Sequence, residues 1–215
     1  MEQKVYVRPR FRKLKKNEYM QFYNSLRDAR KINKHGLFVL LRDPEVYLES
    51  ENFLIGNGIA GFSIKDEEMI SVHKNNKKAQ ESGVSHILPK LVRCALKYGA
   101  KFCDCYGEFL VNYYMKCGYI CVCRVPFDYI EDNPDNWDYK QFGKPDVFVL
   151  VRGVKTVAEL DLLRQKNALL GFDEIAQYIP TIKNYDKALV YRDKIYEKIK
   201  SLSYKQRIKI LKEEK

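Results

Sequence analysis

Between Met69 and Tyr119 the apolar residues change period, and that change limits what the stretch can fold into. Residues 69–72 read as a short apolar strand. Val84, Ile87, Leu88, Leu91, Val92 and Ala95 then recur at i, i+3, i+4, i+7, i+8 and i+11, the stripe of a helix. Pro89 falls near the first turn of that helix, where proline is tolerated, and Gly99 closes it. Residues 101–106 return to a strand pattern, 108–117 form a short helix stopped by Gly118, and 119–127 are strand again. A strand, a crossover helix and a second strand can lie parallel. Ahead of the longer helix lies Gln80-Glu81-Ser82-Gly83-Val84-Ser85. A glycine-bearing turn at a helix start presents backbone N–H groups, and the positive end of the helix dipole, to an anion.

The flanking sequence supplies a different pattern. Residues 4–13 alternate as an extended segment, and Asn17 is placed to cap a helix running to about Ile32. Tyr19, Phe22, Tyr23, Leu26 and Ala29 give that helix its apolar stripe. Residues 37–41 read as a strand ended by Pro44. Residues 52–55, 59–64 and 69–72 read as three successive strands, with Gly56-Asn57-Gly58 and Lys65-Asp66-Glu67 as turns, which predicts an antiparallel meander. Residues 132–136 are a turn-rich loop before the single tryptophan, Trp137, and 147–151 are a wholly apolar strand. Beyond Arg152 the pattern is helical over 157–169, 185–200 and 204–212. This tail cannot bury much alone and is expected to pack on the core or on a partner. The chain is therefore predicted to be α+β, with a mixed, mostly antiparallel sheet flanked by helices over 1–153 and a basic helical extension over 154–215.

A hydrophobic content of 46% with 31% charged residues is that of a globular protein. No apolar run approaches the ~20 residues that span a bilayer, so no membrane partner is expected. The Lys- and Arg-rich start predicts no secretory leader and a cytoplasmic location. Cys94, Cys103, Cys105, Cys117, Cys121 and Cys123 are accordingly expected as reduced thiols. The two Cys-x-Cys pairs can each point one way on a strand. Structural zinc sites more often use Cys-x2–4-Cys from a turn, so the thiols are read as small buried apolar residues and no metal site is predicted.

The net charge of +11 sits at the ends. Residues 1–16 hold seven Lys/Arg against one Glu, and 183–215 hold eleven against five acids, which leaves the middle slightly acidic. Such ends can attract nucleic acid or an acidic protein, or can be solvated lysine-rich faces.

The order of elements over roughly 4–151 resembles the GNAT superfamily of N-acetyltransferases. The family's pyrophosphate loop reads Gln/Arg-x-x-Gly-x-Gly/Ala, and Gln80-x-x-Gly83-x-Ser85 is similar, with serine at the last position. Its late helix often ends Tyr-x-x-x-Gly-Phe, and Tyr114-x-x-x-Gly118-Tyr119 is similar. The chain departs from the pattern in a longer segment between Val72 and Gly83, and in Gly107 where many members carry an asparagine ahead of the tyrosine.

The resemblance implies an enzyme, an acetyl-CoA-dependent N-acyltransferase acting on an amine-bearing acceptor, small molecule or macromolecule. Gln80, Glu81, Ser82, Gly83, Val84 and Ser85 would hold the cofactor's pyrophosphate. Lys77 and Lys78 would touch outer phosphates or stay solvated. Backbone N–H groups near Val72 would polarise the thioester carbonyl, a contribution of about 3–4 kcal/mol for one preorganised donor. Tyr114, protonated at neutral pH with an ordinary pKa near ~10, would give its proton to the departing thiolate. Glu68, by strand parity with Ile70 and Val72, would face the acceptor amine as base, or would simply be a turn residue. His73 is placed by alternation on the face opposite Val72, below Glu68 as a candidate. The competing reading is a degenerate core of the same fold that recruits nucleic acid or an acidic partner through its basic termini.

Overall fold

The computed structural model describes residues 10–130 and 137–214. The expectations for 4–9 and for the loop 132–136 lie outside them. The chain divides into two compact units, Met1–Tyr98 and Gly99–Lys215.

In the first unit, β1 (Phe11–Lys13), β2 (Glu51–Ile55), β3 (Ala60–Lys65) and β4 (Glu68–Lys74) pair in sequence order, every pair antiparallel. The β3–β4 turn is the two-residue kind, with Asp66 and Glu67 both left-handed at φ 48° and 63°, a geometry that matches the twist of the flanking strands. Helix α1 (Tyr19–Ile32) buries Phe22, Ser25, Leu26 and Ala29, the expected stripe. A 3-10 turn over Lys16–Glu18 precedes it, so Asn17 is not its cap.

Residues 37–41 are not a strand. A 3-10 turn covers Gly36–Phe38, and Asp43 then leads into α2 (Pro44–Leu48) with proline in its first turn. Val39 and Leu41 instead pack on Leu14, Phe22, Leu26, Tyr47 and Leu54, so the apolar run is explained by burial under a loop rather than by a ladder. Two helices follow β4: α3 (Asn76–Glu81) and α4 (Leu88–Lys97). The sequence pattern gives no sign of α3. It is a single polar turn capped by Asn75, whose Oδ1 accepts from the Lys78 N–H at 3.0 Å.

In the second unit the strands are β5 (Phe102–Tyr106), β6 (Tyr119–Val125) and β7 (Val147–Arg152), with β7 between the other two and both pairs antiparallel. Helix α5 (Glu108–Met115) joins β5 to β6, and α6 (Tyr139–Phe142) precedes β7. The tail forms α7 (Val157–Gln165), α8 (Tyr185–Ile199) and α9 (Tyr204–Glu213). Helix α8 packs on β6 and β7, so the tail finds its core inside this unit. Arg192 of α8 lies 4.0 Å above the Phe102 ring, and Cys123 Sγ approaches the Ala188 carbonyl. Tyr114 of α5 lies on the other face, with Cys103 and Cys105. The fold is thus α+β with mostly antiparallel strands flanked by helices, as expected. Among the described residues no helix is long and apolar enough to cross a membrane.

Candidate functional site

The segment expected to cradle an anion does something else first. Gln80 and Glu81 belong to α3. Gly83, left-handed at φ 62°, follows its end. The Val84 N–H donates to the Ala79 carbonyl at 2.9 Å and the Gly83 N–H to Gln80 at 3.1 Å. This pair of bonds closes a helix around a left-handed glycine. The Ser82 N–H donates to Lys78 at 3.0 Å. Three of the amides assigned to the pyrophosphate are therefore already engaged, and Gly83 is a helix terminator.

The open amides lie a few residues further on. Helix α4 begins at Leu88 rather than Val84. Among the described residues, the N–H groups of Ser85, His86, Ile87 and Leu88 donate to no backbone carbonyl, whereas those of Lys90 and Leu91 both reach Ile87. His86 is left-handed at φ 50° and Ile87 is right-handed (φ −79°, ψ −35°). That alternation turns successive N–H groups toward one point and makes a concave nest for an anion. The nest stands at the N-terminus of a ten-residue helix, whose dipole has the same sign preference. Of the expected loop, only Ser85 belongs to it. Lys78 donates to the Asn57 carbonyl at 2.9 Å. Lys77 and Lys78 line an open cleft of about 320 Å³ with Asp28, Lys31, Asn75 and Glu81.

Strand β4 carries the second feature. Its register with β3 runs Lys65↔Glu68, Ser63↔Ile70, Gly61↔His73, so three residues of β4 advance where β3 advances two. The extra residue is a β-bulge at Ser71–Val72, with Ser71 left-handed at φ 52°. The two-residue turn makes Lys65↔Glu68 a hydrogen-bonded rung, and the Asn75 N–H bond to Ile59 (2.8 Å) marks another two rungs beyond Gly61. Bonded rungs alternate, so Ser71 and Val72 lie between two of them and their amides point away from β3. The bulge also reverses the expected parity. His73 shares a face with Glu68 and Ile70, because the extra residue shifts the alternation by one.

That face is covered by α1, and His73 is buried there at 4% exposure. Phe22 meets its ring edge-on at 5.1 Å. Its Nδ1 lies 3.1 Å from the Ser71 carbonyl oxygen and its Nε2 2.9 Å from Ser25 Oγ. A carbonyl only accepts, so Nδ1 carries the proton, and in a neutral ring Nε2 accepts from the Ser25 hydroxyl. Burial pushes the His73 pKa down to about 4, so the ring is neutral at pH 7. The Ser25 hydroxyl also lies 3.2 Å from the Gly58 carbonyl, an acceptor it would take up if the ring gained a second proton. Ser71 Oγ is 2.9 Å from the hydroxyl of buried Tyr47, which accepts from the Arg42 N–H at 3.2 Å.

Glu68 is half-buried at the first position of β4, paired in register with Lys65 directly after the turn. Tyr114 belongs to the second unit, 5% exposed, its ring edge-on to Tyr119 at 6.2 Å. Burial first, then neighbouring Cys103, pushes its pKa well above the ordinary tyrosine value expected from sequence. The hydroxyl stays protonated throughout the neutral range but is a weaker acid than an exposed tyrosine.

None of the six cysteines is in a disulfide, and Cys103, Cys105, Cys117, Cys121 and Cys123 are buried. Cys103 and Cys105 share a face. Cys121 and Cys123 do not, because a second bulge between them pairs Cys121 with Leu150 but Cys123 with Val149. Burial raises the Cys117 pKa to about 11 and that of Cys123 to about 12. Among the described residues no cluster of His, Cys, Asp or Glu is arranged to hold a metal ion.

No family model matches the chain, and no curated protein matches it. Among solved structures, the solution structure of apo-form YjaB from Escherichia coli is similar at 12% identity and a TM-score of 0.42, over 68% of this chain and 98% of that one. A likeness of this size transfers nothing to the chain.

Proposed function

We propose that the protein binds an acyl-coenzyme A and transfers its acyl group to an amine, on a core of the GNAT type. The observation that carries this reading is the nest of open amides at Ser85–Leu88, placed between a bulged strand and an amphipathic helix. A diphosphate is the ligand that such a nest suits, through several converging N–H donors and a favourable helix dipole. The bulge adds an amide, that of Val72, turned off the β3 ladder and able to polarise an acyl carbonyl. The order of elements, helix, meander, strand, helix, strand, helix, is the one the resemblance calls for. In this proposal Glu68, at the start of β4, is the candidate base for the acceptor amine.

Calorimetry tests the anchor. Acetyl-CoA is expected to bind the wild-type chain and not Ser85→Glu. An acid just ahead of a helix N-terminus is favourable to the helix, so this variant keeps its fold while opposing an anion. No heat from either acetyl-CoA or CoA on the wild-type chain ends the proposal.

A second reading, recruitment of nucleic acid or an acidic protein through 1–16 and 183–215, draws less support. In the tail Lys198 pairs with Glu214, Lys200 with Glu197 and Lys209 with Glu213. Arg207 is buried and donates to the Arg152, Lys200 and Leu202 carbonyls. Much of the charge counted in the sequence is therefore spoken for.

A further inference from the structure

One peptide plane in the first unit is held from several directions. The Ser71 carbonyl and the Val72 N–H belong to one peptide unit, and among the described residues every peptide bond is trans. In a trans unit these two groups point in opposite directions. The His73 Nδ1–H holds the Ser71 oxygen at 3.1 Å from the α1 side of the strand. The Val72 N–H is thereby turned to the other side, away from the imidazole.

The imidazole is itself fixed from several directions. Ser25 engages Nε2 at 2.9 Å, and Phe22 closes on the ring edge. Gly61, directly across the ladder, makes room for it. A Cβ on Gly61 would come within 2.8 Å of His73 Cε1 and 2.6 Å of the Phe53 carbonyl. The Tyr47 hydroxyl holds the Ser71 side chain at 2.9 Å. A leucine or phenylalanine at position 73 would fill this space without a desolvation penalty. A polar ring committed through both nitrogens is explained instead by the direction it imposes on its neighbour. Ser71 is held in a left-handed conformation unusual for a residue other than glycine, a strain that surrounding bonds must over-determine to keep.

We propose that His73 is a positioning residue: its Nδ1–H, oriented by Ser25, clamps the Ser71 carbonyl and so aims the Val72 amide as a preorganised donor to an acyl carbonyl oxygen. The clamp stands on geometry alone, and the role of the amide as a donor to the acyl carbonyl rests on the acyl-CoA reading above.

Two substitutions separate direction from packing. His73→Asn keeps a donor at the place of Nδ1, and His73→Leu keeps the bulk but not the donor. In the free protein, the Ser71 carbonyl-carbon resonance is expected to be the same in wild type and His73→Asn and displaced in His73→Leu. With ligand, the probe is the difference in the Val72 amide proton shift between acetyl-CoA and CoA, which lacks the acyl carbonyl. That difference is expected in wild type and His73→Asn and lost in His73→Leu, while the His86–Leu88 amides still respond to both ligands. Ser25→Ala, a milder change, is expected to reduce the difference without abolishing it. Unchanged Ser71 and Val72 resonances in both His73→Leu and Ser25→Ala overturn the clamp. If wild type binds neither ligand, the acyl-CoA reading fails, and the free-protein carbonyl resonance still decides the clamp. If His73→Leu does not fold, Ser25→Ala and His73→Asn decide it alone.

Discussion

Two strands of this protein, β4 and β6, each carry one extra residue, and the two bulges have little else in common. In β6 the bulge around Val122 is wholly buried among Cys121, Cys123 and the apolar residues of β7. Its polar surroundings are thiols whose pKa values burial has raised. In β4 Ser71 and Val72 are half-buried, and polar side chains grip the distortion from one side: His73 on the Ser71 carbonyl and Tyr47 on its hydroxyl. A bulge by itself re-aims a side chain. A bulge held by a directed clamp re-aims a backbone donor. The comparison sets the β6 bulge in a packed core, and it is the proposed function that gives the β4 bulge a binding role.

The largest test of that division is in β6. Val122→Asp places a charge at a fully buried site and is expected to cost on the order of 4 kcal/mol, read as a drop in the urea midpoint. A loss under about 1 kcal/mol would mean that the β6 bulge is not part of a packed core.

The next effect belongs to His73. Its folded pKa lies near 4, below the ordinary 6.5, chiefly because burial penalises the charged ring. The unfolded chain therefore takes up this proton first as pH falls. The stability contribution is complete above about pH 6.5 and is lost progressively toward pH 4, by on the order of 3 kcal/mol. His73→Asn is expected to flatten that part of the stability–pH curve. Parallel curves for wild type and variant would show that the ring is not held neutral by the fold.

Gly83→Ala is expected to destabilise by about 1 kcal/mol, because a left-handed residue acquires a Cβ. The space around that Cβ is open, with no atom within 4 Å. If Gly83 only terminates α3, acetyl-CoA affinity is unchanged in calorimetry. A loss of binding larger than the loss of stability would restore Gly83 to the anion site. Smallest of all, Val72→Ala is expected to change stability by under about 1 kcal/mol, since the proposed contribution of this residue is its backbone and not its side chain.

The contrast also shows what could be read from the sequence. The helical stripes of α1 and α4, the meander and the wholly apolar β7 were legible because period and burial follow from side-chain chemistry alone. Residues 37–41 misled because an apolar run bounded by Gly36 and Pro44 fits a strand and a buried loop equally well. The Gln80–Ser85 motif misled in a more instructive way. Gly83 is required by a left-handed turn in either role, and only the bonds to Ala79 and Gln80 show that the turn ends one helix before it leads to the next. The β4 bulge was not legible, since one added residue in a strand leaves no compositional mark. It brought His73 onto the face of Glu68 and Ile70, where simple alternation had set it opposite them. One signal was present: a glycine inside a strand, here Gly61 in β3, marks a close approach from the facing strand, and the neighbour it admits is the His73 ring.

The most direct test of the account is an amide chemical-shift titration of the full chain with acetyl-CoA. The account predicts saturable shifts at Ser85, His86, Ile87 and Leu88 together with Val72, and none around Val122 in β6. Saturable binding that leaves both Val72 and the Ser85–Leu88 amides unmoved, or no binding at all, would contradict it.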